Sequence, residues 1–288
     1  MSLRVTDKQN IKNMENISAS FIKSIIKKRL PDSHKGTYGH ALLVVGNLGK
    51  MGAAVIAAKA CVRSGVGLIT VNTPFMERLI IQVSVPEAML NFRESFIDTY
   101  QTFSAIGIGP GIGKNSLEKK FLKEILKYSE KPIVLDADAL NIIADSKKML
   151  NKIPTNSIIT PHPKEFDRLF GMHNSTDERK NTAIKMAELL NIVIVLKGHQ
   201  TFITNGTDHF LNTTGNSGLA KGGSGDALTG LITGLLAQQY TSLIAGVIAV
   251  YIHGLAADIT LEKQTMETMN ITDVIENFGK AFKQIFEI

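Results

Sequence analysis

The residues most able to do chemistry lie in one run, Gly222-Gly223-Ser224-Gly225-Asp226, continued by Ala227-Leu228-Thr229-Gly230. Leu228, Leu231, Ile232, Leu235 and Leu236 recur at helical spacing, so the run opens a helix with an apolar core face. Successive glycines let backbone N–H groups converge on one point, and a helix N-terminus adds about half a positive charge. Gly222, Gly223, Ser224 and Gly225 are therefore the candidate anion hole for phosphate oxygens. Asp226 falls in the first turn beside it. A carboxylate there suits the helix dipole but repels a bound phosphate. That repulsion is tolerable if the acid takes the proton of a hydroxyl attacking phosphorus, which makes Asp226 a candidate general base in phosphoryl transfer. The plain alternative is an N-cap aspartate after a flexible loop. The run of glycines ahead of the acid favours the chemical reading.

Other candidate residues sit where apolar runs end. Gly46-Asn47-Leu48-Gly49-Lys50-Met51-Gly52-Ala53-Ala54 is a Gly-rich turn into a helix. It lacks both the dinucleotide spacing and the P-loop Gly-Lys-Ser/Thr ending. Gly107-Ile108-Gly109-Pro110-Gly111-Ile112-Gly113 is a second such turn, where backbone can approach a ligand. Asp136 and Asp138 follow a short apolar run. If the strand continues, both face one side and could organise Mg²⁺ through water; otherwise Asp138 caps a helix. Thr160-Pro161-His162-Pro163-Lys164-Glu165 is a proline-stiffened loop that offers an imidazole and a carboxylate. Lys197-Gly198-His199-Gln200-Thr201 offers an ammonium and backbone donors to phosphates, or is simply a β-turn. His253, in an apolar helix, reads as a satisfied core histidine. Met266 and Met269 read as packing or part of a mobile turn.

The elements that must hold these residues alternate. Short apolar runs at 41–45, 68–71, 105–108, 133–135, 157–159, 192–196 and 201–203 read as strands, many buried on both faces. Helical patterns lie between them at 52–63, 115–128, 164–170 and 176–190. A last short strand at 209–211, a polar Gly/Ser/Thr loop at 212–224 and two apolar helices at 226–237 and 243–258 follow. The alternation predicts a layered α/β fold with a mostly parallel sheet. Residues 34–288 read as one catalytic domain, and residues 1–33 as a helical extension, with an amphipathic helix over 17–30, packed on the rim.

Composition narrows the class. The chain has 288 residues, 44% hydrophobic and 20% charged, which allows a large core. Its one cysteine, Cys61, rules out an internal disulfide and reads as a buried thiol. The net charge is +6 without a basic run interleaved with aromatics, and tryptophan is absent, so nucleic acid is not expected. The N-terminus shows no signal-peptide core, and the apolar stretch 243–255 reads as too short to span a bilayer. A cytoplasmic location, without a membrane partner, is the expectation.

The run from Asn216-Ser217-Gly218-Leu219-Ala220-Lys221 through Gly222-Gly223-Ser224-Gly225-Asp226 resembles the Gly-x-Gly-Asp motif of the ribokinase-like superfamily, and within it the ADP- or ATP-dependent NAD(P)H-hydrate dehydratases. The resemblance covers nearly the whole chain from Lys35 onward, and His34-Lys35-Gly36-Thr37-Tyr38-Gly39, ahead of the first expected strand, matches the family's opening motif. It implies a three-layer α/β/α ribokinase-like fold and a carbon–oxygen lyase that repairs hydrated NADH or NADPH (NADHX/NADPHX, S-epimer). The substrate hydroxyl would be phosphorylated by ADP or ATP, ADP being the expected donor, and phosphate would then leave. By the same resemblance Asp226 is the base. Ala53 (or its neighbour Ala54), Gly111 (Gly109 as second candidate) and His162 contact the substrate. Lys197, Gly198, His199, Gln200 and Thr201, with Gly225, hold the nucleotide. Glu165 organises Mg²⁺ through water. A homotetramer, and a separate NAD(P)H-hydrate epimerase in the pathway, are the implied partners. Two other readings compete: a small-molecule hydroxyl kinase of vitamin-precursor type on the same fold, and a non-catalytic nucleotide sensor.

Overall fold

A computed structural model describes residues 14–94 and 100–288. The expected extension at 1–33 therefore falls partly outside the described residues. Its described part begins with a strand rather than a helix. Among the described residues one sheet holds β1 (Met14–Asn16), β2 (His40–Val44), β3 (Leu68–Thr73), β4 (Met89–Phe92), β5 (Ala105–Ile108), β6 (Ile133–Leu135), β7 (Ile158–Ile159), β8 (Val193–Leu196), β9 (Phe202–Thr204) and β10 (His209–Leu211). Their order is β1-β10-β9-β8-β7-β6-β5-β2-β3-β4. Pairing is parallel except at β8–β9 and β9–β10, where short turns reverse the chain. β1 and β4 lay outside the sequence reading. Three or four residues are too few to show a two-residue period, and β1 is fixed by pairing with β10 rather than by its own pattern.

The helices are α1 (Ala19–Ile25), α2 (Met51–Arg63), α3 (Arg78–Ser84), α4 (Ser116–Tyr128), α5 (Ala137–Asp145), α6 (Pro163–Phe170), α7 (Thr176–Leu190), α8 (Ser224–Ala237), α9 (Ser242–Thr260), α10 (Ile271–Glu276) and α11 (Phe278–Glu287). The amphipathic stretch expected over 17–30 is helical only over α1, where Ser18 caps the first turn through Phe21 N. Alternate residues of each central strand enter different cores. Ala41 and Leu43 of β2, and Val193 and Val195 of β8, pack toward α2, α8 and α9. Leu42 and Val44, and Ile194 and Leu196, pack toward α4, α5, α6 and α7. This is a three-layer α/β/α sandwich with two cores separated by the sheet.

α8 is buried along its length from Ala227 to Ala237 because it lies between the sheet and α2. Its glycines permit that. A Cβ on Gly230 would sit 2.0 Å from the Ala57 carbonyl oxygen of α2, and one on Gly234 would sit 2.0 Å from Ser64 Oγ. α9, 19 residues long, is apolar enough to cross a membrane by length and composition, so the reading of a stretch too short to span is corrected. In the fold, 78% of its apolar window is buried as a core helix. His253 on α9 is buried as expected but not satisfied: its Nε2 has no hydrogen-bond partner. Burial drives its pKa down to about 4, so the ring is held neutral. Cys61 is fully buried, and burial pushes its thiol pKa up, which makes it inert. Met269 is a core residue, whereas Met266 is exposed.

Gly230→Ala is the direct test of this packing. Helix propensity alone would stabilise the variant by about 1 kcal/mol. The clash with the Ala57 backbone reverses the sign, and denaturant unfolding should show a loss of roughly 1–3 kcal/mol.

Candidate active site

The sheet order turns back between β5 and β2: the chain runs outward from β2 to β3, then returns to β5 on the other side. The carboxyl ends of strands at such a reversal form a crevice. The turns after β2, β5, β6, β7 and β8 all leave from this edge. They carry, in order, residues 46–50, 109–113, 136, 160–162 and 197. The start of α8 reaches the same place. A Cβ built on Gly225 would lie 3.2 Å from Lys197 Nζ and 3.3 Å from Asp136 Oδ2. Gly225 thus lets the helix N-terminus settle on a buried ion pair.

That ion pair is the floor of the site. Lys197 Nζ donates to Asp136 Oδ1 at 2.8 Å and stands 4.0 Å from Glu165 Oε2. Thr229, one turn beyond Asp226, donates to Asp136 Oδ2 at 2.9 Å. Asp136 is 1% exposed and Glu165 5%. The expectation of a strand running through Asp136 to Asp138 is corrected. β6 ends at Leu135, and Ala137 adopts a left-handed φ of 47°, so the two carboxylates part. Asp136 turns to Lys197 and Thr229. Asp138 accepts from Gly113 N at 2.9 Å and pairs with Lys50 at 3.5 Å. Asp138 therefore ties the 109–113 turn to the start of α2 and does not cap α5.

Gly223 precedes α8 at φ 96°, a left-handed conformation that glycine adopts freely, and no side chain caps the first turn. The first-turn N–H groups of a helix lack intrahelical acceptors and suit an anion, although that of Ser224 donates to the Lys221 carbonyl oxygen at 3.4 Å. Gly222 is exposed; Ser224 and Gly225 are half-buried. Lys221 anchors the approach by donating to the carbonyls of Glu267 at 2.6 Å and Met269 at 2.7 Å. Asp258 of α9 holds the preceding loop by accepting from Gly215 N at 2.8 Å and Asn216 Nδ2 at 3.0 Å. Asp226 sits half-buried at this point. Burial, then the Asp136 charge, push its pKa from 3.8 up to about 6 against the pull of Lys197. A carboxylate near that value can accept a proton at neutral pH and later release it.

Ala53 and Gly111 come together. A Cβ on Gly111, itself at φ 65°, would lie 3.1 Å from Ala53 Cβ and 3.0 Å from the Lys50 carbonyl oxygen. Gly109 serves another end: its Cβ would sit 1.8 Å from the Asp136 carbonyl oxygen. Ala54 is buried in the core and so is not the surface residue of the pair. His162 is the N-cap of α6, where its Nδ1 accepts from Lys164 N at 3.1 Å and Glu165 N at 3.4 Å. The ring proton is therefore assigned to Nε2, which stands 3.5 Å from Glu165 Oε1. Burial lowers the His162 pKa, with Glu165 opposing. The ring is a neutral cap beside the floor ion pair.

The segment 197–201 divides. Lys197 is turned in, whereas Gly198, His199 and Gln200 are exposed and Thr201 half-buried on the β8–β9 turn. The loop His34–Gly39 lies at the opposite, amino edge of the strands. There a Cβ on Gly39 would meet the Ala237 carbonyl oxygen at 2.0 Å, so this motif serves packing at the far end of α8. A cavity of about 670 Å³ lined by Tyr38, Leu235, Tyr240 and Phe286 also lies at that far end, away from Asp226.

No group of three or more His, Cys, Asp or Glu side chains arranged to hold a metal occurs among the described residues. Mg²⁺ needs only one or two carboxylates beside phosphate oxygens and keeps its own waters. Glu165 fits such a role through water. Its Oε2 accepts from His162 N at 2.9 Å, so direct ligation would break the α6 cap. Lys50, Thr229 and Asp258 were missed from sequence. Lone polar residues inside apolar or Gly-rich runs carry no pattern of their own.

Comparison with known proteins agrees with this geometry. The family profile described as NAD(P)H-hydrate dehydratase matches residues 41–280. The ADP-dependent (S)-NAD(P)H-hydrate dehydratase of Bacillus subtilis is 34% identical over 273 residues, 91% of this chain and 96% of that protein. The bifunctional NAD(P)H-hydrate repair enzyme of Coxiella burnetii is 37% identical over 256 residues, 87% of this chain and 51% of its own length. The chain thus spans about half the length of the bifunctional relatives it matches. Among solved structures, the ADP/ATP-dependent NAD(P)H-hydrate dehydratase from Bacillus subtilis, co-crystallised with ATP and Mg²⁺, superposes with a TM-score of 0.86 at 33% identity, covering 95% of this chain and 99% of that one. A ribokinase-like superfamily protein from Enterococcus faecalis superposes at 0.84 and 28% identity over the whole of both chains. A helix start lined by glycines above a half-buried lysine, on a mostly parallel sheet of ten strands among the described residues, is thereby placed: the chain belongs to the NAD(P)H-hydrate dehydratase family and has the ribokinase-like fold.

Proposed function

We propose that this chain restores NADH or NADPH from the S-epimer of its hydrate, using ADP or ATP to turn the ring hydroxyl into a phosphate that leaves. The observation that carries this reading is Asp226, half-buried at the start of α8 with its pKa raised to about 6. The names of the relatives support both the substrate class and the nucleotide. In this reading the nucleotide lies along the exposed turn of Gly198, His199 and Gln200, its terminal phosphate at the N-terminus of α8. The hydrated nicotinamide enters from the side of Ala53, Gly111 and His162. Its hydroxyl oxygen bonds to phosphorus as the bond to the nucleotide's bridging oxygen breaks, and Asp226 takes the hydroxyl proton. The carbon–oxygen bond pair then departs with phosphate, and a proton leaves the adjoining carbon, whose bonding pair restores the ring double bond. Net, one phosphoanhydride is consumed per water removed.

Lys197 supplies positive charge below the transferring phosphoryl group and is held there by Asp136 and Glu165. Mg²⁺, when bound, would neutralise charge between phosphate oxygens, with Glu165 holding it through water. The same reading places the chain in the cytoplasm, beside a separate epimerase that interconverts the hydrate epimers. It also carries a homotetramer. Supporting an oligomer, Met76, Leu79 and Val83 on and beside α3 are 78%, 60% and 81% exposed, an apolar strip left facing water. Leu79→Asp combined with Val83→Asp should lower the mass seen by light scattering; a monomeric unsubstituted chain would remove the oligomer.

Asp226→Asn should fold and lose roughly 100- to 10,000-fold in turnover of hydrated NADH, followed by recovery of NADH absorbance. In the unsubstituted protein kcat/KM should fall as pH drops below about 6, where Asp226 becomes protonated. Retained turnover in the variant would take the base role from Asp226. Stability should move the other way. The fold raises this pKa, so the carboxylate's cost is absent below 3.8 and complete above about 6. Asp226→Asn should therefore be more stable than the parent at pH 8, by at most about 3 kcal/mol at 1.36 kcal/mol per pH unit, and equal to it near pH 3.

Lys197→Met leaves Asp136 and Glu165 buried without their cation. Chemical denaturation should show a loss of about 3–5 kcal/mol at neutral pH. An unchanged midpoint would show that the pair does not hold the floor together.

A further inference from the structure

Arg93 is 4% exposed and follows β4 directly. A guanidinium so placed would ordinarily face a carboxylate. This one spends its donors on the ends of two strands. Nη1 donates to the Gly46 carbonyl oxygen at 2.9 Å, and Nη2 to those of Val45 at 3.1 Å and Asn72 at 3.0 Å. Nε donates to Asn72 Oδ1 at 3.3 Å, and Asn72 Nδ2 donates onward to Asn91 Oδ1 at 3.1 Å. Burial draws the Arg93 pKa down to about 10, with Glu118 and Glu94 opposing, so it stays charged at neutral pH.

The Gly46–Gly52 turn is held from its other side as well. Gly46 N donates to the Pro110 carbonyl oxygen at 2.8 Å. Asn47 Nδ2 donates to the Ile112 carbonyl oxygen at 2.7 Å and to Glu118 Oε1 at 3.1 Å, while its Oδ1 accepts from Leu48 N at 2.8 Å. Glu118 is 6% exposed, and its Oε2 has no hydrogen-bond partner. Two buried charges are thus kept where the fold gives them no mutual ion pair, around the one turn that leads to Ala53. The 109–113 turn, fastened by Pro110 and Ile112, carries Gly111. Gly46 itself has φ 71°, and a Cβ there would lie 2.8 Å from Ala54 Cβ, so the turn has no slack to move inward.

We propose that Arg93, with Asn47 and Glu118, is a positioning brace that sets the separation of Ala53 and Gly111 and so the fit of the nicotinamide-side substrate, leaving nucleotide binding untouched. The inference rests on the proposed function, in which Ala53 and Gly111 face that substrate. Arg93 contacts no part of α8 or of the 197–201 turn through any of these bonds, which is why the two ligands should separate in the test. A lysine at 93 keeps the charge but, as a point donor, cannot span Val45, Gly46 and Asn72 at once.

Arg93→Lys and Asn47→Ala should each raise KM for hydrated NADH by roughly 10- to 100-fold, since displacements below an ångström at a binding surface cost that much. KM for ADP should stay within about two-fold of the parent's, and the acid limb of the pH profile should not move. Asn47 is on a turn rather than in the core, so its variant carries the test if Arg93→Lys fails to fold. An equal rise in both KM values, or a loss of kcat at unchanged KM for the hydrate, would overturn the brace. Absence of turnover by the unsubstituted protein with either nucleotide would instead overturn the reading of function on which it rests.

Discussion

The contact between Lys197 and Asp136, 2.8 Å long, with the carboxylate buried and the ammonium half-buried, is the constraint around which the site is built. Two charges buried together are stable only if their remaining hydrogen-bonding capacity is met. Here it is met by elements that are otherwise independent. Thr229 of α8 gives its hydroxyl to Asp136, and Glu165 of α6 brings its carboxylate to within 4.0 Å of the ammonium. The ends of β6 and β8 and the start of α8 are thereby fixed at one point. Asp226 inherits its raised pKa from that same arrangement, through burial and through the Asp136 charge. The fold thus holds the Asp226 carboxyl in a place that disfavours its charged form, which is a cost to stability and, in the proposed function, suits it to accept a proton.

The rest of the architecture serves that point of convergence. α8 can reach the carboxyl edge of the sheet because Gly230 and Gly234 let it lie against α2 without Cβ atoms between them. Gly107 of β5 leaves room for Thr233 on the sheet side, where a Cβ would approach its Oγ1 to 2.2 Å. A helix packed this closely on both sides cannot slide, so the position of its N-terminus is fixed. The glycine turns after β2 and β5 are fixed by different means: they are stitched to each other by Asn47 and by the Gly46–Pro110 bond. The two groups of elements meet at the 136–138 turn, where Gly109 packs on the Asp136 backbone and Asp138 binds Gly113 N and Lys50.

Much of this was legible in the sequence because it rests on local pattern. The strands at 105–108 and 133–135 and the helix at 176–190 match what periodicity predicts, since each is long enough or apolar enough to announce itself. The start of α8 at Ser224 was legible because a glycine run precedes a strongly apolar helical pattern. What failed to show depends on distant partners. β1 exists by pairing with β10, and the inward turn of Lys197 away from its neighbours 198–200 follows from the buried acids Asp136 and Glu165 far along the chain. Arg93 follows Asn91 and Phe92 with no motif around it, and its burial could not be read from a single charged residue in a mixed segment. His162 lies in the loop after β7, as the sequence places it, but its capping of α6 depends on which ring nitrogen faces Lys164 N and Glu165 N.

The central claim is that the phosphoryl group is a means of removing water from a damaged nicotinamide ring. The most direct test supplies hydrated NADH with ADP or with ATP and follows NADH absorbance and inorganic phosphate release together. The account predicts that both appear only with nucleotide and in equal amounts. Phosphate-bearing substrate that accumulates without NADH recovery, or NADH recovery that proceeds without nucleotide, would contradict it.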